Sequence, residues 1–361
     1  MASRTEELLP LTALRGIAAW WVVLFHLRYF LLPYLPAEAI AVLARGNLAV
    51  DLFFLLSGFV IYLNYSGRVT PDPASVGDFL FRRFARIYPL HLLVLLGFAA
   101  WFGAAVLLGG ATLEEQRPGY FLASLFLVQN WGFTDQLGWN VPAWSISTEI
   151  VAYALFPALL FLFMPARRPT WALVAALLAL APAVQLFFLA FGFHYPDAVP
   201  QTGLIRCLIQ FAMGILLCEL WGRWRGTKGL AAAMLGLAAL AGGAFLLAGA
   251  PVLPLAWAAL ILGLALCERA TLLSAGPLVW LGQVSYATYL GHYLILVIFK
   301  YLCVEEGRPV PPAYLAAYFG AVLAASALLY HGVERPAQRR LLLWWRDPSI
   351  RRFVFAQRHS G

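Results

Sequence analysis

The chain has 361 residues, 62% of them apolar and 12% charged, with a formal net charge of +8. A soluble domain is about a quarter charged, so neither a disordered chain nor a basic nucleic-acid binder fits these proportions. With 13 Trp and 26 Phe, most of the chain reads as dissolved in lipid, and at about 20 apolar residues per crossing helix its length holds about ten spans plus loops.

Ten apolar runs follow one another in the chain: 11–32, 48–65, 87–108, 143–164, 171–192, 203–222, 230–248, 252–267, 278–302 and 312–333. Polar or Pro/Gly-rich breaks separate them, such as Gly67–Gly77, Pro165–Pro169 and Arg308–Pro312. The runs are continuous and do not alternate, so they predict helices and not a barrel. Run 252–267 is short and follows Ala250-Pro251 with almost no loop, which suggests a tight hairpin with 230–248. The expectation is an all-α polytopic membrane protein, a bundle of about ten transmembrane helices.

Orientation follows from the 25 basic residues. With the N-terminus cytoplasmic, eighteen fall on the cytoplasmic side: Arg4, Arg68, Arg82, Arg83, Arg86, Arg167, Arg168, Arg223, Arg225, Lys228, Arg269 and seven from Arg335 to Arg358. Three fall opposite, at Arg45, Arg117 and Arg308. That bias predicts a multi-pass membrane protein with both termini in the cytoplasm, and it accounts for the net charge without a nucleic-acid partner. No cleavable signal peptide is expected, because the first apolar run is long enough to span and lacks an Ala-x-Ala end. Cys207, Cys218, Cys267 and Cys303 lie in or beside spans with no CxxC spacing, and read as small packing residues. Two loops are long. The 66–86 segment carries a basic cluster, and 109–142 carries Glu114, Glu115 and Asp135 and is expected to cover an outward-facing mouth.

An ionisable group within a span is costly and is a functional candidate by default. The candidates are Arg15, His26, Arg28, Asp51, Glu149, Arg206, His292, Lys300 and His331. Arg28 and Lys300 lie near span ends and read as snorkelling anchors. Arg15 and His26 are eleven residues apart, about three turns, so they share a helix face with roughly 16 Å between them. Arg15 reads as a positive-inside anchor or a site residue. His26 reads as a packing histidine or, with an imidazole that titrates near neutrality, as a general base. His292 has hydroxyls on nearby turns at Ser285, Tyr286 and Tyr289 and reads equally as an interhelical bonding group. Glu149 and Asp51 sit near the starts of spans, where a carboxylate also suits the helix dipole. Arg206 needs one of these carboxylates, since an unpaired arginine there is expensive. Arg82, Arg83 and Arg86 occupy about one turn and serve either as ordinary anchors or as an anion site for phosphates. GxSxG, P-loop, HExxH and GxGxxG patterns are missing, and no metal-ligand spacing is present.

Taken in order, these runs resemble the acyltransferase 3 family of integral-membrane acyltransferases. LTALRGIAAWWVVLFH carries Arg15, ten residues and His26. NLAVDLFFLLSGFVI is similar to the family's second-helix motif through Asp51, Phe53, Phe54, Ser57, Gly58 and Phe59. RRFARIYP resembles its Arg-x-x-Arg motif at Arg83 and Arg86, and NVPAWSISTEIVAY its Trp-Ser-x-x-x-Glu signature through Trp144, Ser145, Glu149 and Tyr153. RCLIQFAMG, with Arg206, SYATYLGH, with Tyr286 and His292, and the final ERP, Glu334 to Pro336, match three more.

The resemblance implies transfer of an acyl group, commonly acetyl from cytosolic acetyl-CoA, to a hydroxyl of a carbohydrate such as a cell-surface or lipid-linked glycan. It implies a membrane domain over 1–336 followed by a basic cytoplasmic tail, 337–361. Other members carry an extracytoplasmic esterase-like domain beyond that point; this chain is expected to act without it or with a separate extracytoplasmic transferase. The expected catalytic residues are His26, Arg15, Glu149 and Asp51. Arg82, Arg83 and Arg86 are expected to bind the acyl-CoA phosphates. Ser57, Trp144, Ser145, Tyr153, Arg206, Tyr286 and His292 are expected to supply substrate contacts or structural polar support, with membrane lipid around the bundle and no metal. The rival reading is a transporter or flippase of lipid-linked glycans, whose midplane charges serve as substrate sites; it leaves the arginine cluster unused.

Overall fold

The structure, a computed structural model, describes residues 8–108, 117–193, 197–248, 252–267 and 272–347. Arg4, Glu114, Glu115, Arg269 and the tail beyond Asp347 lie outside the described residues. Among the described residues all regular structure is helical. The helices in chain order are α1 (Leu9–Leu31), α2 (Ala37–Ala44), α3 (Ala49–Tyr65), α4 (Pro73–Leu107), α5 (Pro118–Leu125), α6 (Trp144–Phe163) and α7 (Thr170–Ala190). They continue with α8 (Val199–Trp224), α9 (Leu230–Ala248), α10 (Leu253–Leu266), α11 (Gly276–Gln283), α12 (Ser285–Cys303), α13 (Pro312–Leu329) and α14 (Arg335–Trp345). Eight helical stretches among the described residues are long and apolar enough to cross a membrane, and α9 and α10 are shorter apolar helices. Each of the ten apolar runs of the sequence is helical. The short run forms α10, packed against α9 as the expected hairpin.

Three boundaries differ from the sequence reading. Helix α4 begins at Pro73, so Arg82, Arg83 and Arg86 ride on a helix and not on a loop. Asp72 caps it by accepting from the Ser75 amide at 2.9 Å, and Pro73 at the first position loses no hydrogen bond there. Hydropathy marks only the apolar part of such a helix. Second, run 278–302 is broken at Val284 into α11 and α12. Gly282 presses on α1 so closely that a Cβ would stand 1.8 Å from the Thr12 carbonyl oxygen, and the Ser285 hydroxyl donates to the Gly282 carbonyl at 2.8 Å. Third, α13 runs on through a π-turn, Tyr330–Glu334, into α14.

The centre of the bundle is α3 against α8, with α6 and α7 beside α8 and the α9–α10 hairpin over both. At the crossing, a Cβ on Gly58 would lie 2.0 Å from the Phe211 carbonyl oxygen, and one on Gly214 would lie 2.1 Å from that of Leu55. Lipid provides little drive for apolar helices to associate, so close backbone packing at small residues does it instead. Phe54, Phe59, Phe156 and Phe211 fill the surrounding core. Helix α12 lies between α1, α4 and α13, and a second apolar cluster around Val23, Leu27, Leu296 and Tyr318 holds α1 to α12 and α13.

Candidate active site

Two cavities open within the bundle. The first, about 170 Å³, is bounded by α1, α3, α4, α6 and α12. Arg15, Arg83 and Arg86 line it together with Glu149, Ser57, Tyr153, Ser145 and Tyr286. Glu149 lies beyond the first turn of α6, so it is not a helix cap. Its Oε1 accepts from the Ser57 hydroxyl across the α3–α6 interface and from the Tyr153 hydroxyl at 2.6 Å. Arg83 donates to the Tyr65 hydroxyl at 2.6 Å and lies over that ring at 4.8 Å, while its buried Nε has no hydrogen-bond partner. Arg86 pairs with Glu334 of the π-turn and sits 5.5 Å over the Tyr286 ring, which is fixed by a 2.8 Å bond from its hydroxyl to the Ile87 carbonyl. Arg82 is absent from this wall. Asp78, one turn earlier on α4, holds it through Nε at 2.7 Å.

The second cavity, about 670 Å³, is bounded by α1, the 135–142 segment and the start of α8. His26, Arg28, Asn47, Asp135, Gln136, Trp144, Asp197, Gln201 and Arg206 line it. The segment expected to cover a mouth thus forms part of a wall. Among the bonds that tie it down, Trp131 Nε1 donates to the Ser147 carbonyl at 2.9 Å, and Asn140 donates to the Leu290 carbonyl at 3.2 Å. Nδ1 of His26 lies 3.2 Å from Nε2 of the fully buried His292. Behind this cavity, Asp51 takes the Arg206 guanidinium bidentately, Nε to Oδ1 at 2.6 Å and Nη2 to Oδ2 at 2.5 Å, and Gln210 donates to the same carboxylate. Both ends of that pair are buried, at 1% and 0% exposure. Asp51 itself lines neither cavity; it fixes Arg206, which in turn lies 5.7 Å over the Trp144 ring.

Tyr289 belongs to both walls. Its hydroxyl donates to the Pro142 carbonyl at 3.0 Å and is 2.8 Å from the Ser145 hydroxyl. The structure therefore brings Arg15, Arg83, Arg86, Glu149, Ser57, Tyr153, Ser145 and Tyr286 together, and sets His26, Trp144 and Arg206 on the other side of Tyr289. Arg15 and His26 share a helix yet open into different cavities. Sequence reasoning passed over two residues of this layout: Tyr289 as a dividing wall, and Glu334 as the partner of Arg86. Hydropathy does not flag a tyrosine, and Glu334 stood beyond the end of an apolar run. Among the described residues no three His, Cys, Asp or Glu side chains gather as a metal site.

Chemically, a cavity walled by guanidinium groups suits an anionic ligand. The neighbouring cavity offers an imidazole beside carboxylate and amide groups that hydrogen-bond hydroxyls. Apolar helices enclosing such sites define a multi-pass membrane protein. The acyltransferase 3 family profile, described as an acyltransferase domain, matches residues 10–331. The chain belongs to that family and is an acyltransferase enzyme. It is 32% identical to "Acyltransferase MdmB" of Streptomyces mycarofaciens, over 94% of each chain. It is 28% identical to "Exopolysaccharide production protein ExoZ" of Rhizobium meliloti, over 82% of this chain and 90% of that one. It is 27% identical to "Putative peptidoglycan O-acetyltransferase YrhL" of Bacillus subtilis, over 90% of this chain and 54% of the relative. No solved structure matches.

Proposed function

We propose that the protein is a plasma-membrane O-acyltransferase that moves an acyl group, acetyl in the first instance, from a cytosolic acyl-CoA to a hydroxyl of a carbohydrate acceptor. The observation that carries this reading is the pair of cavities on either side of Tyr289, one lined by three arginines and the other by His26. With both termini in the cytoplasm, as the distribution of basic residues supports, the arginine cavity lies on the donor side and the histidine cavity faces away from it. The membrane domain spans 1–336, with 337–361 as a basic cytoplasmic tail.

Arg83 and Arg86 bind donor phosphates, their guanidinium groups lining the smaller cavity. Arg15 shares that wall, and Glu149 orients the cations while held by Ser57 and Tyr153. His26 acts as general base. It takes the proton of the acceptor hydroxyl as that oxygen attacks the thioester carbonyl; the carbon–sulfur bond breaks, and the proton ends on the departing thiolate. Such proton transfer is worth typically 10²- to 10⁴-fold. Asp51 acts through Arg206, keeping the guanidinium and Trp144 in the acceptor wall. Asp135, Asp197 and Gln201 supply the kind of groups that bind vicinal hydroxyls, in keeping with relatives named for exopolysaccharide production and peptidoglycan O-acetylation.

The test has two arms. Purified protein is titrated with acetyl-CoA in detergent, and cell-surface glycans from cells with and without it are compared by mass spectrometry for added acetyl groups. Binding that is lost in Arg83→Ala with Arg86→Ala, and acetylation that is lost in His26→Ala, support the reading; full acetylation by His26→Ala overturns the base assignment.

A further inference from the structure

His26 and His292 stand on α1 and α12, 266 positions apart in the chain, and their contacts fix which nitrogen of each ring carries hydrogen. Nδ1 of His292 lies 3.0 Å from the Thr288 carbonyl oxygen. A carbonyl oxygen only accepts, so that nitrogen is the donor and Nε2 of the neutral ring keeps its lone pair. The lone pair meets Nδ1 of His26 at 3.2 Å. Nδ1 of His26 also lies 3.0 Å from the Val22 carbonyl oxygen, so it too carries hydrogen. Every contact then joins a donor to an acceptor. Exchanging the tautomer of either ring would set lone pair against lone pair. Nε2 of His26 is thereby left unprotonated in a ring that lines the larger cavity.

The surroundings sharpen the point. His292 is fully buried, and the rings of Phe25 and Tyr293 pack edge-on against His26 at 4.9 and 5.1 Å. The titratable neighbours acting on His26 are first His292 itself, then Arg28 from its own helix and Lys300 from α12; Asp135 lies on the same cavity wall. In many acid–base sites a carboxylate accepts the Nδ1 hydrogen and stabilises the imidazolium. Here that hydrogen faces two neutral acceptors, a carbonyl and the second imidazole.

We infer that His292 is a positioning residue: by accepting the Nδ1 hydrogen of His26 it keeps His26 Nε2 as the basic nitrogen and stabilises the imidazolium formed when Nε2 takes a proton. The inference rests on the proposed role of His26 as base. The proton balance is closed. The acceptor hydroxyl proton passes to His26 Nε2, Nδ1 retains its own hydrogen in the bond to His292, and Nε2 returns the proton to the thiolate as the thioester breaks.

The test separates this from packing. Full-length protein labelled with ¹⁵N-histidine and purified in detergent is compared with His292→Gln, whose carbonyl oxygen can occupy the place of Nε2, and with His292→Phe, which keeps ring volume without an acceptor. His292→Leu serves as a second apolar variant. The His26 signals are assigned by their loss in His26→Ala. The rate of His26 carbethoxylation by diethyl pyrocarbonate is followed by mass spectrometry. The wild type is expected to show His26 protonated at Nδ1, with tautomer and reactivity preserved in His292→Gln. His292→Phe or His292→Leu is expected to mix the tautomers and slow carbethoxylation roughly 10- to 100-fold, the range for a hydrogen bond to a charged group. An Nε2-protonated His26 in the wild type, or an unchanged tautomer and rate in the apolar variants, overturns the inference. Full glycan acetylation by His26→Ala defeats the base role instead and leaves the tautomer result standing on its own.

Discussion

Arg82 and Arg83 are neighbours in the chain and part company in the fold. Asp78 draws Arg82 out of the cavity wall, while Arg83 stays in it with an unpartnered Nε. Arg82→Ala removes a partly exposed i,i+4 ion pair and is expected to change acetyl-CoA affinity by less than about twofold, since such pairs contribute little. Arg83→Ala is expected to weaken it roughly tenfold or more, as for a lost charge-assisted hydrogen bond; isothermal titration in detergent distinguishes the two. Equal losses would mean that the cluster works only through its bulk charge. The buried Asp51–Arg206 pair poses a different question. Removing one partner leaves the other charge uncompensated, at a cost of about 3–5 kcal/mol. Asp51→Ala should therefore lower the melting temperature strongly. Asp51→Leu combined with Arg206→Met should recover most of that loss but not activity, because the guanidinium over Trp144 is gone. Thermal unfolding and glycan acetylation, measured on the same preparations, read the two effects separately.

Helices were the legible part of this sequence, and the reason is physical. A span must be apolar for about 20 residues, so α1, α3, α6, α7 and α8 declare themselves as continuous runs. Contacts that interrupt or extend a helix without changing its hydropathy do not. Gln283 is a single polar residue in an apolar run, and the break between α11 and α12 falls where Gly282 packs closely on α1. The start of α4 is polar, and its signal was the Asp72-Pro73 cap. There the Thr70 hydroxyl, and after it the Ser75 amide, hold the Asp72 carboxyl below the usual carboxylate range. A depressed carboxylate pKa contributes stability that is complete above its ordinary value and is lost as the pH falls through the lowered one, so this cap is intact at neutral pH and fails only in acid. Asp72→Asn should keep the cap without that acid sensitivity. At the α3–α8 crossing, Gly58→Ala would drive a methyl to 2.0 Å from the Phe211 carbonyl oxygen. Overpacking of this kind costs typically about 1–3 kcal/mol. Because α3 and α8 also carry Asp51 and Arg206, the variant should lose both thermal stability and activity; a variant of wild-type melting temperature would show that the crossing can relax.

Across the whole molecule the two cavities stand in series, and Tyr289 touches both. The spacing of Arg15 and His26 revealed a shared helix face, but a one-dimensional pattern has no means of showing a wall supplied by α12. That wall sets a requirement on the proposed reaction. A donor held at Arg83 and Arg86 must bring its thioester past Tyr289 before the acceptor oxygen at His26 can attack. In the proposed reaction a Tyr289 ring held through its hydroxyl by the Pro142 carbonyl and Ser145 would keep the acyl carbon from water on the acceptor side, which is one way in which a closed site suppresses hydrolysis. Tyr289→Ala removes the ring and joins the cavities. In that variant acetyl-CoA should still bind, the rate of its hydrolysis to acetate and free thiol should rise, and the fraction of acetyl groups delivered to glycan should fall. Tyr289→Phe keeps the ring and loses only the hydroxyl, so it should lie close to wild type in hydrolysis. Thiol release measured alongside glycan acetylation gives the ratio directly, and an unchanged ratio in Tyr289→Ala would show that the ring does not separate donor from water.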